Sequence, residues 1–215
     1  MTTTVLNPTY DTYLTSINPD TNQDTTTIIA SGESNAVSGA VFRALVKFDF
    51  SSIPSNAVVS SATIELYMVT DKSSNTRTKR WFRVKQAWIS NQATWNIYAT
   101  GQGWQTAGCD GANDRESTDI GSLSMSDAET EGAWFSWSLT SSKVQEWISG
   151  AFTNNGMGLI TDTQSNDSYS FESLEHVGGH DPKLTVVWTV ETITRVLRTR
   201  RGINLLGRQG RRLVF

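Results

Sequence analysis

The sequence predicts an all-β protein built as an antiparallel two-sheet β-sandwich. Three observations support this fold class: apolar and polar side chains alternate in several segments, aromatic and β-branched residues are frequent, and turn-forming residues separate the alternating segments. A strand with one apolar face needs a second sheet to cover that face. Two antiparallel sheets packed face to face provide the cover.

The alternation has a period of two. Residues 42–49 are the clearest case, with apolar side chains at every second position: Phe42, Ala44, Val46 and Phe48. The same period recurs in residues 62–68, 81–88, 134–139, 157–161, 168–172 and 184–190. Turn sequences at 51–56 and 154–156 separate some of these segments. The longest irregular stretch is 89–122.

One short helix is predicted at about residues 140–149, with apolar side chains at Val144, Trp147 and Ile148 in helical spacing. Either Thr140 or Ser141 can cap its start, and Gly150 ends it. About two turns are marginal in isolation. We therefore expect this helix to dock on an open end of the sandwich.

Composition excludes several classes of protein. The 215 residues suffice for one sizeable core, and the single Cys109 excludes an internal disulfide, so we interpret it as a bystander loop thiol. No apolar run approaches the ~20 residues that span a bilayer, so we expect no membrane partner. The amino terminus lacks a basic region followed by an apolar one, so we expect no leader peptide.

Charge divides the chain into an acidic body and a basic tail. Residues 191–215 hold seven Arg and one acid, a charge of +6, which leaves −9 on the other residues when the total is −3. We predict an N-terminal arm at 1–8, a sandwich at 9–190 and a tail at 191–215. The tail mixes Arg with aliphatic residues, which favours docking on a protein, whereas a nucleic-acid arm rarely needs so much aliphatic content. The alternative is a disordered extension.

The order of several short segments resembles DNRLRE-type domains. The resemblance covers about residues 9–190 and rests on 11–13, 18–22, 43–54, 61–67, 93–96, 144–147, 155–156, 170–173 and 181–186. It implies a jelly-roll sandwich of the carbohydrate-binding-module type. Such domains occur in secreted and surface proteins, some relatives are linked to acidic polysaccharides such as alginate, and similar domains occur in phage structural proteins.

Two kinds of binding site are candidates. Trp104, in a Gly-rich loop, could stack on a sugar ring, and Trp95 is a second glycan candidate that also suits a structural role. The acidic loop could hold a structural Ca²⁺ with Asp110, Asp114, Glu116 and Asp119, although it lacks the EF-hand spacing. His176 and His180 suit a polar loop better than a metal site.

No catalytic motif is present, so we expect no enzyme and no required cofactor. Paired carboxylates remain open, because their separation is spatial. We expect a virion structural protein, a phage head decoration, head fibre or tail-associated subunit, assembled in the host cytoplasm. Its tail would contact other virion proteins or copies of itself through Arg195, Arg198, Arg200, Arg201, Leu205, Leu206, Arg208, Arg211, Arg212 and Phe215. The alternative is a secreted or cell-surface carbohydrate-binding module.

Overall fold

In the computed structural model, which describes residues 1–34, 37, 39–162 and 167–190, the chain forms thirteen β-strands and one α-helix. The strands are β1 (Thr2–Leu6), β2 (Pro8–Thr15), β3 (Ile28–Glu33), β4 (Val41–Phe48), β5 (Ala57–Asp71), β6 (Arg77–Arg83), β7 (Ile97–Ala99), β8 (Gln102–Gly103), β9 (Gly121–Met125), β10 (Trp134–Leu139), β11 (Met157–Thr161), β12 (Ser168–Glu172) and β13 (Lys183–Val190). The helix is α1 (Ser141–Ser149).

Two curled antiparallel sheets form the sandwich, and the long strand β5 belongs to both. Sheet A has the order β1-β13-β5-β10. Sheet B contains β9-β6-β11-β4-β2, with β3 and β12 linking β4 to the end of β5. Strands β7 and β8 form a separate small hairpin. The predicted all-β, antiparallel sandwich is confirmed.

The core between the sheets contains large aromatic side chains in edge contact. Trp137 lies with its ring centroid 6.1 Å from that of Trp81 and 6.0 Å from that of Phe171. All three are fully buried. The alternating apolar residues Ala44, Val46, Phe48, Ile64, Leu66 and Met68 join the same cluster, as their period of two predicted.

A second cluster covers the outer face of sheet B. It consists of Leu14, Leu45, Val84, Trp88, Ala93, Trp104 and Cys109, most of them supplied by the long segment 84–120 that crosses β4. Strand β4 is therefore buried on both faces, and even Arg43, on the face opposite Ala44 and Val46, is only 7 % exposed. The segment predicted as a strand at 81–88 ends at Arg83, because the chain beyond joins this cover.

Helix α1 docks where it was predicted, with Val144, Trp147 and Ile148 buried. Thr140 is the N-cap residue, but its side chain makes no capping hydrogen bond, and its backbone carbonyl accepts from the amides of Lys143 and Val144. Gly150 ends the helix in the left-handed conformation at φ 78°.

The buried side chain of Arg83 ties the helix to the sheet. Its guanidinium contacts the carboxylate of Glu146 on α1 at 2.7 Å and that of Glu116 at 2.8 Å. A buried guanidinium needs such partners, since an unpaired buried charge is costly. The ion pairs therefore bind α1 and the 84–120 segment to the same point of β6.

The structure describes the N-terminal residues of the chain but not residues 191–215. Residues 1–8, assigned by sequence to an arm, supply β1, which pairs with β13, and the first residue of β2. The tail at 191–215, with all its predicted docking residues, lies outside the described residues. No helix in the described part of the chain is long and apolar enough to cross a membrane.

Lys79 is fully buried inside sheet B. Its Nζ donates to Thr161 Oγ1 at 2.9 Å and lies 3.5 Å from the ring centroid of Tyr169. Burial lowers the pKa of Lys79 to about 6, although the carboxylates of Asp167 and Asp162 oppose the shift. The amine is therefore mostly neutral in the folded protein at pH 7, while in the unfolded chain it is charged.

We predict that Lys79→Met increases the free energy of unfolding at pH 7 by about 1–3 kcal/mol, since Met is buried without losing a proton. The gain should shrink as the pH rises from about 7 to 10, because only the unfolded wild type binds the proton in that range. Urea denaturation at several pH values measures both effects. Lys47→Met, at a half-buried position, is the control for the loss of charge. Equal stability of Lys79→Met and wild type across this pH range would contradict the prediction.

Candidate functional site

An open cavity of about 470 Å³ lies beside β2, where the 173–182 loop between β12 and β13 meets the start of the 84–120 segment. Its lining consists of Thr9, Tyr10, Asp24, Trp88, Ile89, Ser90, Asn91, Leu174 and Glu175, and we call it the Glu175 pocket. Its rim exposes apolar and aromatic surface, since Tyr10 is 50 % exposed and Ile89 43 % exposed. A cavity of this size with a few polar groups is typical of a small-ligand site.

Hydrogen bonds between distant segments hold the pocket walls. The Asn22 amide nitrogen donates to the carbonyls of Ser90 at 2.6 Å and Ala93 at 2.7 Å. Trp88 is fixed by its Nε1, which donates to the Asn155 carbonyl at 2.7 Å. Such contacts hold the side chains of the wall in place before any ligand arrives.

The 173–182 loop is anchored at its start. Ser173 Oγ donates to the Thr26 carbonyl at 2.6 Å, and the Ser173 amide donates to the Thr27 carbonyl. The next residues, Leu174 and Glu175, are those that line the pocket. The start of the loop is therefore fixed just after the end of β12, two residues before Glu175.

A buried carboxyl group stands behind Glu175. Asp11 is 1 % exposed, and its Oδ2 accepts a hydrogen bond from the Leu174 amide at 2.9 Å. Its Oδ1 has no donor among the described residues. Burial raises the pKa of Asp11 to about 7, and the nearby charges of Glu175 and Asp181 add to the increase. Asp11 therefore titrates near neutral pH, directly behind the pocket.

The charge of the Glu175 pocket is negative. Its lining includes the carboxylates of Asp24 and Glu175, and none of its nine described residues is Lys or Arg. Asp181 adds a further negative charge close to Asp11. The pocket is thus suited to neutral or positively charged groups.

Both histidines meet at one carboxylate on the far side of the same loop. Glu172 Oε2 lies 2.9 Å from His176 Nδ1 and 3.2 Å from His180 Nδ1. The His180 ring stacks on Tyr67, with centroids 3.9 Å apart. The described residues contain no group of three or more His, Cys, Asp or Glu side chains that could hold a metal ion. These contacts fasten the 173–182 loop to sheet A.

Trp104 lies in the cover over sheet B and is only 7 % exposed. Its Nε1 donates to the Thr94 carbonyl at 2.9 Å, and its ring centroid lies 5.4 Å from that of Tyr98. The expectation that Trp104 is an exposed platform is therefore wrong, because the loop that carries it folds back over β4.

Trp95 is half-buried beneath the Arg43 guanidinium, which lies 5.3 Å from the ring centroid. A Cβ on Gly108 would come within 2.6 Å of the Trp95 ring, and the φ of Gly108 is +78°. Only glycine meets both demands at position 108. The Trp95 ring thus has a structural role in the packing of the 84–120 segment.

The four predicted calcium ligands are occupied by other partners. Asp110 pairs with Arg43 and Arg115, Glu116 with Arg83, and Asp119 with Arg80. Asp114 is fully buried and accepts hydrogen bonds from the amides of Gln105, Thr106 and Gly111. The structure does not bring these carboxylates together, since each one fastens a different part of the 84–120 segment. Burial also raises the pKa of the Cys109 thiol, which fits the bystander interpretation.

The sequence contains no pattern that predicts the Glu175 pocket. Asp11 and Glu175 are 164 residues apart in the chain, and neither lies in a motif with catalytic or binding spacing. The only signal was the position of Asp11 at the start of the family-like segments. A pocket between two loops and a strand edge has no local sequence pattern that would reveal it.

We predict that Trp104→Ala lowers the free energy of unfolding by about 3–5 kcal/mol, because it removes a buried ring and its hydrogen bond. Urea denaturation followed by circular dichroism measures this loss. Tyr10→Ala is the matched control, since Tyr10 is half exposed and its removal should cost about 1 kcal/mol or less. A Trp104→Ala protein as stable as the control would contradict the assignment of Trp104 to the core.

Comparison with known proteins identifies the family of the chain. No curated protein matches the chain. The model of the disaggregatase related repeat domain matches residues 11–186, which begin at Asp11 and end within β13. This match spans the sandwich from its second strand to its last. The chain therefore belongs to the disaggregatase related repeat domain family.

Proposed function

We propose that the chain is a non-catalytic module that binds a carbohydrate in the Glu175 pocket. The observation that carries the proposal is the pocket itself: an open cavity of about 470 Å³ with the exposed Tyr10 ring on its rim. Sugar rings offer apolar faces that stack on aromatic rings and hydroxyl groups that bond to polar side chains. Ser90, Asn91 and Glu175 supply such polar groups.

The carboxyl pair supports binding more than hydrolysis. Glycoside cleavage by two carboxyl groups needs them about 5–10 Å apart, on either side of the scissile bond. Asp11 is only 1 % exposed and lies behind the pocket, where its carboxyl group accepts a hydrogen bond from the Leu174 amide. A sugar in the pocket therefore cannot reach Asp11, as a two-carboxylate mechanism would require. We therefore assign Glu175 to ligand contact and Asp11 to holding Glu175 in place.

The rim of the pocket suits a chain of sugars rather than a small enclosed ligand. Tyr10 and Ile89, which both line the pocket, are about half exposed. Apolar surface beside an open pocket gives further sugar units a place to contact. The resemblance to DNRLRE-type domains, which implies a carbohydrate-binding-module-like sandwich, agrees with this proposal.

We predict that Tyr10→Ala weakens polysaccharide binding at least about tenfold, equal to about 1.4 kcal/mol, because it removes the exposed ring. Affinity electrophoresis in gels containing neutral, acidic or amino polysaccharides measures the change in retardation. Val58→Ala, which is exposed on sheet A outside the pocket, is the control and should bind as the wild type does. The proposal fails if no polysaccharide retards the wild type, or if Tyr10→Ala binds equally well.

A second candidate function concerns attachment, and the direction of β13 favours it. The strand begins at Lys183, next to the 173–182 loop, and ends at Val190, where residues 191–215 begin. Eight residues at about 3.3 Å per residue separate the two ends by about 23 Å. We propose that the tail anchors the module to a larger assembly while the loop end faces outward.

A phage virion is the assembly that we propose first, with the tail bound to other virion proteins or to copies of this chain. The seven Arg and the interleaved aliphatic residues of 191–215 suit a docking segment that places Arg on carboxylates and aliphatic side chains in grooves. A secreted or cell-surface module is the alternative. In both cases the same pocket would hold a glycan.

Truncation after Val190 tests the anchoring role. We expect the shortened chain to fold and to bind polysaccharide as the full chain does, since the sandwich ends with β13. It should no longer incorporate into virus particles when it is co-expressed with the other virion proteins, as measured by its copy number in purified particles. A variant with the seven tail Arg residues changed to Gln separates charge from aliphatic contacts. Unchanged incorporation of the truncated chain would overturn the proposal.

A further inference from the structure

We infer that the Glu175 pocket prefers sugars that carry a protonated amine to sugars that carry a carboxylate. The inference rests on the proposed carbohydrate binding and names its ligand class. It differs from the expectation of acidic polysaccharides, which followed only from the resemblance to DNRLRE-type domains. An amino sugar in an unacetylated glycan is the ligand whose charge the pocket matches.

The first argument is the sign of the charges. Asp24 and Glu175 line the pocket, the charge of Asp181 acts on the buried Asp11, and no Lys or Arg belongs to the described lining. At physiological ionic strength, charges within about 8 Å of each other are only partly screened. A uronic acid in the pocket would bring a carboxylate close to Glu175 with no cation to offset the repulsion.

The second argument is the unpartnered oxygen of Asp11. Its Oδ1 is buried and receives no hydrogen bond from the described residues. Burial and Glu175 raise the pKa of Asp11 to about 7, so the group is mostly protonated below neutral pH. A cation beside Glu175 would favour the ionised form of Asp11. Binding of an ammonium group at pH 6 would then release the proton of Asp11 to the buffer, whereas a neutral sugar would leave it bound.

The charged groups in the pocket lining and among the neighbours that shift the pKa of Asp11 are carboxylates, and Tyr10 adds a phenol to the lining. Asp24 comes from the connection between β2 and β3, and Asp181 from the end of the 173–182 loop. The two histidines of that loop are directed to Glu172. Titration beside the pocket near pH 7 therefore depends on Asp11.

Isothermal titration calorimetry at pH 6 with three oligosaccharides of equal length tests the inference on the full chain. The probes are glucosamine oligomers, N-acetylglucosamine oligomers and guluronate oligomers. We expect the amine form to bind at least about tenfold more tightly than the acetylated form, and the uronate to bind weakest. Titrations in two buffers of different ionisation enthalpy should show release of up to about one proton with the amine form and none with the acetylated form.

Variants separate the charge from the shape of the pocket. Glu175→Gln should remove the preference for the amine, so that the amine form and the acetylated form bind within about threefold of each other. Asp24→Asn reports on a lining carboxylate that does not contact Asp11, and it should reduce the preference in part. Glu65→Gln, which changes an acid on sheet A beside Lys183, is the matched control and should leave the preference unchanged. Thermal unfolding confirms that each variant is folded.

The outcomes distinguish this inference from the proposed function. Equal or tighter binding of the acetylated form overturns the amine preference and leaves carbohydrate binding in place. Tightest binding of the uronate overturns the preference and supports the acidic-polysaccharide expectation. An absence of binding by all three probes, together with no retardation by any polysaccharide in gels, overturns both.

Discussion

The cover on the outer face of sheet B is the constraint on which the site depends. Leu45 and Leu14 place apolar side chains on that face, and an apolar sheet face must be removed from water. The 84–120 segment supplies Trp88 and Trp104 to cover it. Trp88 also forms one wall of the Glu175 pocket. The pocket therefore exists because a long connection has to cross β4 and leaves a gap beside β2, which the 173–182 loop closes only in part.

Three buried ionisable side chains, those of Arg83, Lys79 and Asp11, differ in how their charge is compensated. Arg83 is buried with two carboxylate partners, so its charge is compensated and it holds α1 to the sheet. Lys79 is buried without a contacting carboxylate, and desolvation makes it neutral. Asp11 is buried, and burial raises its pKa to about 7. The first serves the fold, the second costs stability, and the third places a titrating group directly behind a surface pocket.

The negative charge of the Glu175 pocket favours a cationic ligand, whereas the resemblance to DNRLRE-type domains implies acidic polysaccharides. Family membership identifies the sandwich fold, and one fold can bind ligands of many classes. The charges of Asp24 and Glu175 act directly on a ligand in the pocket. Under the proposed function, the exposed ring of Tyr10 would contact the face of a sugar whatever the charge of that sugar. Residues 183 and 190 lie at opposite ends of β13, so the proposed binding beside one end would leave the other end free for the proposed attachment.

Periodicity in the sequence determined the fold class and the helix that ends at Gly150. It also gave the exact bounds of several strands, such as 134–139 and 157–161. These features depend on neighbours within a few positions of the chain. Trp104 was placed wrongly, since a Gly-rich loop sequence does not reveal that its backbone folds back over β4. The pairing of Asp11 with Glu175 was decided only by the tertiary structure. Two carboxyl groups 164 residues apart meet because β2 lies at the edge of sheet B where the loop after β12 returns, and no local pattern encodes that meeting.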